Sequence, residues 1–231
     1  MDLQHVAIVM DGNRRWAQQH GLPLLEGYRA GTERMRSTGE YLAKHQVKYL
    51  TVYGFSTENW NRPPSELEVL FHLFTETLNK ESPELNRRGV KIRHLGRLDG
   101  LPPDMQMALQ RAVELTSDNT SMTLSFAVNY GGRQEVLDAV NRLLKDDRHN
   151  MLIPFQIDEN LFSRYLYTDG IPDIDLLIRT GGELRLSNFL IWQTAYAEYY
   201  FTPVLWPDFD EKEVDKALLS YSQRQRRFGG D

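Results

Sequence analysis

Short runs of β-branched and apolar residues alternate along this chain with longer stretches of helical spacing. That alternation limits the folds open to it more than any other feature. His5–Val9, Lys48–Tyr53, Val90–Leu95, Met122–Val128 and Ile174–Ile178 read as strands. Between them, Leu67, Leu70, Phe71, Phe74 and Leu78 follow a helical stripe, as do Val136, Val140, Leu143 and Leu144, and Val214, Leu218 and Tyr221. Pro102-Pro103-Asp104 marks one helix start, and Asp210 with Glu213 three residues on reads as a capping box before another. The pattern predicts a single α/β domain over residues 1–231, with a mostly parallel central sheet flanked by helices.

Composition narrows the function classes. The chain has 231 residues, 41% of them apolar, enough for a real core. With a formal net charge of -5 it lacks the basic balance of a nucleic-acid binder. It has no cysteine, which excludes disulfides, thiolate metal sites and cysteine nucleophiles and suits a reducing compartment. No apolar run approaches the roughly 18–20 residues that span a bilayer. The expectation is a soluble cytoplasmic protein, at most peripheral at the inner face of the membrane.

In a parallel sheet, ligands bind at the carboxyl ends of the strands. The first strand runs into Asp11-Gly12-Asn13-Arg14-Arg15-Trp16, and the second into Gly54-Phe55-Ser56-Thr57-Glu58-Asn59-Trp60-Asn61-Arg62. The fourth runs into Asn129-Tyr130-Gly131-Gly132-Arg133, and the fifth into Arg179-Thr180-Gly181-Gly182-Glu183-Leu184-Arg185-Leu186-Ser187. Glycine, arginine and carboxylate therefore collect at one edge. A strand, a glycine turn and a helix start leave backbone N–H groups free for an anion, and arginine adds charge-assisted bonds to phosphate. Asp11 beside a phosphate calls for a cation between them, and magnesium takes such a carboxylate-plus-phosphate environment. The plainer readings are an Asp-Gly turn, a loop capped by Ser65 and Glu68 at the next helix start, and a salt-bridged surface loop. Glu198, in the apolar stretch Ala195–Phe201, is either paired or a metal ligand.

Leu67, Leu70, Phe71 and Phe74 are expected to face the sheet, with Val69 and Leu73 to the side. Such a helix is either plainly buried or lines an apolar tunnel opening at the carboxyl ends of the strands. There is no GxxxxGK[ST] loop, no GxGxxG after a strand and no HxH or HExxH spacing. No nucleophile stands beside a base, as a hydrolase of another family would need.

Together these motifs resemble the cis-prenyltransferase family, most closely its bacterial undecaprenyl diphosphate synthases, from His5 to Gly230. The residues that carry the resemblance are His5–Asn13, Phe55-Ser56-Thr57-Glu58-Asn59-Trp60, Asn129–Arg133, Ile178–Glu183, Ser187–Leu190, Leu205–Phe209 and Arg226–Gly230. The resemblance implies a homodimer that extends farnesyl diphosphate by repeated condensation with isopentenyl diphosphate, making cis double bonds. Its product would be a long polyprenyl diphosphate, undecaprenyl diphosphate for the cell-wall lipid carrier, delivered to the membrane. Asp11 and Glu198 would hold Mg²⁺, with Asp11 and Asn59 catalytic. Gly12, Asn13, Arg14 and Arg15 would cradle the allylic diphosphate, with Trp16 and Tyr28 beside it. Ser56, Thr57, Glu58, Asn59, Trp60 and Arg62 would close over substrate. Arg179, Arg185, Leu186 and Ser187 would bind isopentenyl diphosphate, and Arg227-Phe228-Gly229 would reach across the dimer.

Two positions depart from the family pattern. Gly27-Tyr28 stands where Gly-His is usual, and Leu24 where arginine is frequent. Arg14, where many relatives have glycine, and Arg29 are the candidates to compensate. A shorter-chain synthase is the alternative, with Gly54 and Met122 bearing on tunnel depth. A non-catalytic partner subunit fits less well, because Asp11, Asn59, Arg179, Arg185 and Glu198 are all present.

Overall fold

The computed structural model describes residues 3–148 and 157–224. In chain order the first elements are β1 (His5–Val9), α1 (Asn13–Gln19), α2 (Leu24–Lys44), β2 (Tyr49–Ser56) and α3 (Pro64–Arg87). There follow β3 (Val90–Leu95), α4 (Pro103–Leu115), β4 (Met122–Tyr130) and α5 (Gly132–Arg148). The chain continues through α6 (Glu159–Ser163), β5 (Leu176–Arg179), β6 (Glu198–Phe201) and α7 (Glu211–Ser222). The six strands form one sheet in the order β3-β4-β2-β1-β5-β6, and every pair is parallel.

The α/β reading holds, with differences of detail that have physical reasons. β2 runs on to Ser56 with an irregular register past Tyr53, so Gly54-Phe55-Ser56 belong to the strand rather than to the loop. β4 runs to Tyr130, and β5 begins two residues later than Ile174. β6 is short and half-buried, and its sequence Glu-Tyr-Tyr-Phe carries no clear alternation. The 21-residue α2 escapes a stripe search because two of its four buried positions are glycines, Gly27 and Gly31. α3 starts at Pro64 with Pro63 as its cap, so Ser65 lies inside the helix and does not cap it with Glu68. Asp210 does cap α7, accepting the Glu213 N–H at 3.1 Å.

The strands bury both faces. Val6 and Ile8 join a large cluster with Val52 and Phe126, covered by Leu42 of α2, Phe71 and Leu78 of α3, and Leu218 of α7. Ala7 and Val9 join a second cluster with Leu177, Tyr130 and Phe189 on the opposite face. The α5 stripe is corrected: Glu135, Ala139 and Leu143 are buried, while Leu137, Val140 and Leu144 are exposed.

His5 shows how the core tolerates a polar group. Its Nδ1 lies 2.7 Å from the Pro172 carbonyl, which can only accept, so Nδ1 carries the proton. Nε2 then accepts from the Thr51 hydroxyl at 2.8 Å. Burial pushes the imidazole pKa down to about 4, against opposing help from the Pro172 carbonyl and Asp175. Between pH 6.5 and about 4 the unfolded chain binds a proton here that the folded chain does not, so stability falls as pH drops through that window. The full difference is worth about 3 kcal/mol. Thermal unfolding of wild type and His5→Gln from pH 7 to 4 checks this: the acid-side loss is expected to be smaller in the variant.

Candidate active site

β1 sits between β2 and β5, so three strands deliver their carboxyl ends to one place. Past β1, Gly12 adopts φ +116° and turns the chain into α1. A Cβ there would come within 2.9 Å of Leu205, so the tight turn and the close approach both require glycine. Thr180 straps this turn to the end of β5. Its hydroxyl accepts the Asp11 N–H at 3.0 Å and donates to the Asp11 carbonyl at 2.7 Å.

Asp11 is held between two guanidiniums. Arg179 Nη2 lies 3.1 Å from Oδ2, and Arg15 Nη2 lies 3.4 Å from Oδ1. Arg179 is itself buried and also donates to Ser187 Oγ at 2.8 Å and to the Arg185 carbonyl. Its Nε is buried without a hydrogen-bond partner among the described residues.

A cleft of about 280 Å³ opens beside these groups. Asp11, Asn13, Arg179 and Ser187 line its mouth, facing Tyr28, Ser56, Asn59 and Arg62. Deeper in, its walls are Leu70, Leu73 and Phe74 of α3, Met35 of α2 and Phe126 of β4. Leu70 therefore lines the cleft rather than packing on the sheet, and Leu73 is buried beside it. A second cavity of about 490 Å³ lies between α2 and α3 near the amino ends of the strands and is lined by Leu50, Val90, Met122 and Leu124. Thr32, Met35 and Thr77 line both spaces. Gly54 lines the first and Met122 the second.

The loop after β2 is a 3-10 turn, Thr57–Asn61. Asn59 Oδ1 accepts the Ser56 N–H at 3.1 Å, which fixes its amide at the cleft wall. Trp60 packs edge-on against Phe55 and donates to Asn129 Oδ1 at 2.8 Å. Glu58 accepts from Asn188 Nδ2 at 2.9 Å and from Thr57 Oγ1 at 3.1 Å. Burial works to raise the Glu58 pKa, but the hydrogen bonds from Asn188, its own backbone, Thr57 and Ser56 outweigh it and hold it below the usual range. Asn188, part of the Ser187–Leu190 motif, supplies a link that its motif does not announce. It also accepts the Arg133 N–H at 2.9 Å, joining the loop after β2 to the start of α5.

Other predicted residues lie outside the cleft lining. Trp16 donates to Asp208 at 2.7 Å and stacks on His20, and Arg185 pairs with Glu183 at the surface. Arg227 and Gly229 lie outside the described residues. Within one chain Glu198 does not stand beside Asp11. In register it stands two strands over from Val6, opposite Leu176, five residues short of Asp11. That is roughly 16 Å along the strand direction at about 3.3 Å per residue. It pairs instead with Arg224, which also donates to the Tyr199 carbonyl at 3.2 Å. Among the described residues, no three His, Asp or Glu side chains are grouped to hold a metal ion.

An arginine-rich rim around one carboxylate, over an apolar cleft, suits a substrate with a phosphorylated head and a hydrocarbon tail. Comparison with known proteins agrees. The family model described as "Putative undecaprenyl diphosphate synthase" matches residues 9–229. An isoprenyl transferase of Fusobacterium nucleatum is 50% identical over 98% of this chain and 96% of its own. One of Thermotoga maritima is 49% identical over 98% and 97%. Among solved structures, lavandulyl diphosphate synthase from Lavandula x intermedia, in complex with dimethylallyl diphosphate, has a TM-score of 0.93 at 36% identity and covers 98% of each chain. A probable undecaprenyl diphosphate synthase from Campylobacter jejuni has a TM-score of 0.82 at 29% identity over 99% of each. The chain belongs to the undecaprenyl diphosphate synthase family. It is a transferase of prenyl groups in isoprenoid biosynthesis.

Thr180 tests how far the strap at Asp11 matters. Thr180→Val keeps the shape and removes both hydrogen bonds, leaving the Asp11 N–H and carbonyl without that partner. The expected cost is about 1–3 kcal/mol in stability. Denaturant unfolding should show it, and turnover should fall at least about tenfold through displacement of Asp11.

Proposed function

We propose that this enzyme extends farnesyl diphosphate with isopentenyl diphosphate, forming cis double bonds, and that its product reaches undecaprenyl length. The observation that carries the reading is the division of the cleft, with arginines and Asp11 at the mouth and apolar side chains below. In each round the allylic carbon–oxygen bond breaks and diphosphate leaves. The double bond of isopentenyl diphosphate attacks that carbon, and loss of a proton sets the new double bond.

The chain's own groups have separable parts in this. Arg15 and the backbone at the start of α1 take the allylic diphosphate, and Arg179 with Ser187 takes the second. Asn59, its Oδ1 held by the Ser56 N–H, orients substrate, since a side-chain amide is no base near neutral pH. The donor set fits a magnesium ion held by one carboxylate, Asp11, and otherwise by phosphate oxygens and water. When bound, the ion stabilises negative charge on the departing diphosphate. Glu198 of the same chain is too far away to join it, and only a second copy could bring a Glu198 to that ion. The exposed apolar residues of α5, Leu137, Val140 and Leu144, support a homodimer.

Among the described residues no helix is long and apolar enough to cross a membrane. The cavities that share Thr32, Met35 and Thr77 are read as one tunnel for the growing chain. The likeness to a synthase bound to dimethylallyl diphosphate makes a short allylic primer and a short product the second reading. Incubation with farnesyl or dimethylallyl diphosphate, labelled isopentenyl diphosphate and Mg²⁺, with chromatographic sizing of products, separates the two. A long product from the farnesyl primer is expected, and none from either primer would overturn the reading.

Asp11→Ala is expected to lower turnover by about 10²–10³ while the fold, followed by circular dichroism, survives. Product release offers a further check. Each isoprene unit buries about five carbons, at most roughly 4 kcal/mol. That gain must be undone when product enters water, and detergent or vesicles remove most of the cost. Steady-state turnover should therefore rise with mild detergent, while the first condensation in a single turnover stays unchanged.

A further inference from the structure

Glu66 belongs to none of the motifs above, yet it gathers side chains from three elements at the cleft mouth. It sits in the first turn of α3, with its side chain only 5% exposed. Its Oε1 accepts from the Tyr28 hydroxyl of α2 at 2.8 Å and from Arg62 Nη1 at 3.3 Å. Arg14 Nη2, from α1, lies 3.1 Å from Oε2, an ion pair without a hydrogen bond, since Oε2 is buried with no hydrogen-bond partner among the described residues. Arg62 Nη1 also donates to the Tyr28 oxygen at 3.1 Å. The two cations are far more open than the carboxylate they share, with side chains 58% and 34% exposed. Arg62, Tyr28, Asn13 and Asp11 line the same cleft.

We propose that Glu66 is a positioning residue for the allylic diphosphate, holding Arg14 and Arg62 as one clamp at the cleft mouth, and that Tyr28 acts through Glu66 rather than on the phosphate. This rests on the proposed reading of the cleft. The physical case compares two opposing effects. A buried carboxylate beside a polyanion repels it, which favours binding once the charge is removed. Against that, two neighbouring guanidiniums repel each other without a shared counter-charge, and each long side chain loses rotamer entropy when fixed. Glu66 fixes both before ligand arrives, and a buried anchor with defined geometry outweighs repulsion felt at the open, water-screened mouth. Tyr28 is spent as a donor to Glu66, so Tyr28 and Arg14 meet at one carboxylate. They form a single coupled device.

The test is calorimetric binding of farnesyl diphosphate and of inorganic pyrophosphate to the full chain, with steady-state kinetics alongside. Glu66→Gln is expected to weaken farnesyl diphosphate binding about tenfold, raising its KM with a smaller change in kcat and an unchanged KM for isopentenyl diphosphate. Tyr28→Phe alters no charge and keeps the ring, so it tests positioning even where Glu66→Gln fails to fold; a weakening of about threefold to tenfold is expected. Losses in Arg14→Gly and Tyr28→Phe should be smaller in the double variant than their sum. Farnesyl diphosphate binding by wild type with unchanged or tighter binding in Tyr28→Phe and in any folded Glu66→Gln would overturn the inference. Failure of wild type to bind farnesyl diphosphate would overturn the proposed function as well.

Discussion

The position of β1 decides where everything else can act. It is buried on both faces, with strands on both sides, and its neighbours β2 and β5 run parallel to it. Parallel register brings Ser56, Asp11 and Arg179 to one end of the sheet although they lie far apart in sequence. A buried strand without an edge cannot slip by one residue, because that would turn Val6 and Ile8 out of one cluster and into the other. The Thr180 strap and the Gly12 turn then fix the backbone of Asp11 without Asp11 contributing to the core.

Charge at the cleft mouth follows one pattern used twice. Asp11 is shared by Arg15 and Arg179, and Glu66 by Arg14 and Arg62. Four cations are thereby held around two anions in a chain whose overall balance is acidic. Without the shared carboxylate, the two guanidiniums of each pair would repel and stay mobile. Paired, they are pre-oriented, and an incoming diphosphate has only to share them. The two carboxylates differ in accessibility: Asp11 is 31% exposed and can exchange partners for a cation, whereas Glu66 at 5% cannot readily leave its cluster. The same residue chemistry therefore serves exchange at one site and anchoring at the other.

Much of this was legible in the sequence because short apolar strands buried on both faces and strand-end motifs leave local marks. Five strands were placed to within a few residues, and the loops carrying Asp11, Asn59 and Arg179 were expected at one edge, as they are. What failed had no local mark. α2 hides its buried face behind Gly27 and Gly31, which pack closely because they lack side chains. The α5 stripe is apolar on a face that the described chain leaves uncovered, so periodicity alone pointed it the wrong way. Glu66 is an ordinary polar residue and Asn188 a motif residue with no expected role, and the weight of both comes from contacts across 38 and 130 positions of sequence.

α3 divides the polar half of the cleft from its apolar half. Glu66 stands in its first turn, Leu70, Leu73 and Phe74 follow, Thr77 borders both cavities, and Leu85 lies beyond. At 1.5 Å per residue, Glu66 and Leu85 are roughly 28 Å apart along the axis. At that far end the Arg88–Glu40 ion pair ties α3 to α2. With side chains 46% and 39% exposed, such a pair is worth no more than about 1 kcal/mol, and salt weakens it further. Adding one isoprene unit gains up to roughly 4 kcal/mol by burial, so the pair cannot by itself stop a chain that fills the space. The stop must come from atoms that occupy volume, since overpacking a filled core costs about 1–3 kcal/mol per intrusion and rises as several walls are strained together. In the second cavity those walls are Leu85, Met122 and Leu124, so in the proposed function product length is a packing property of these side chains rather than an electrostatic one.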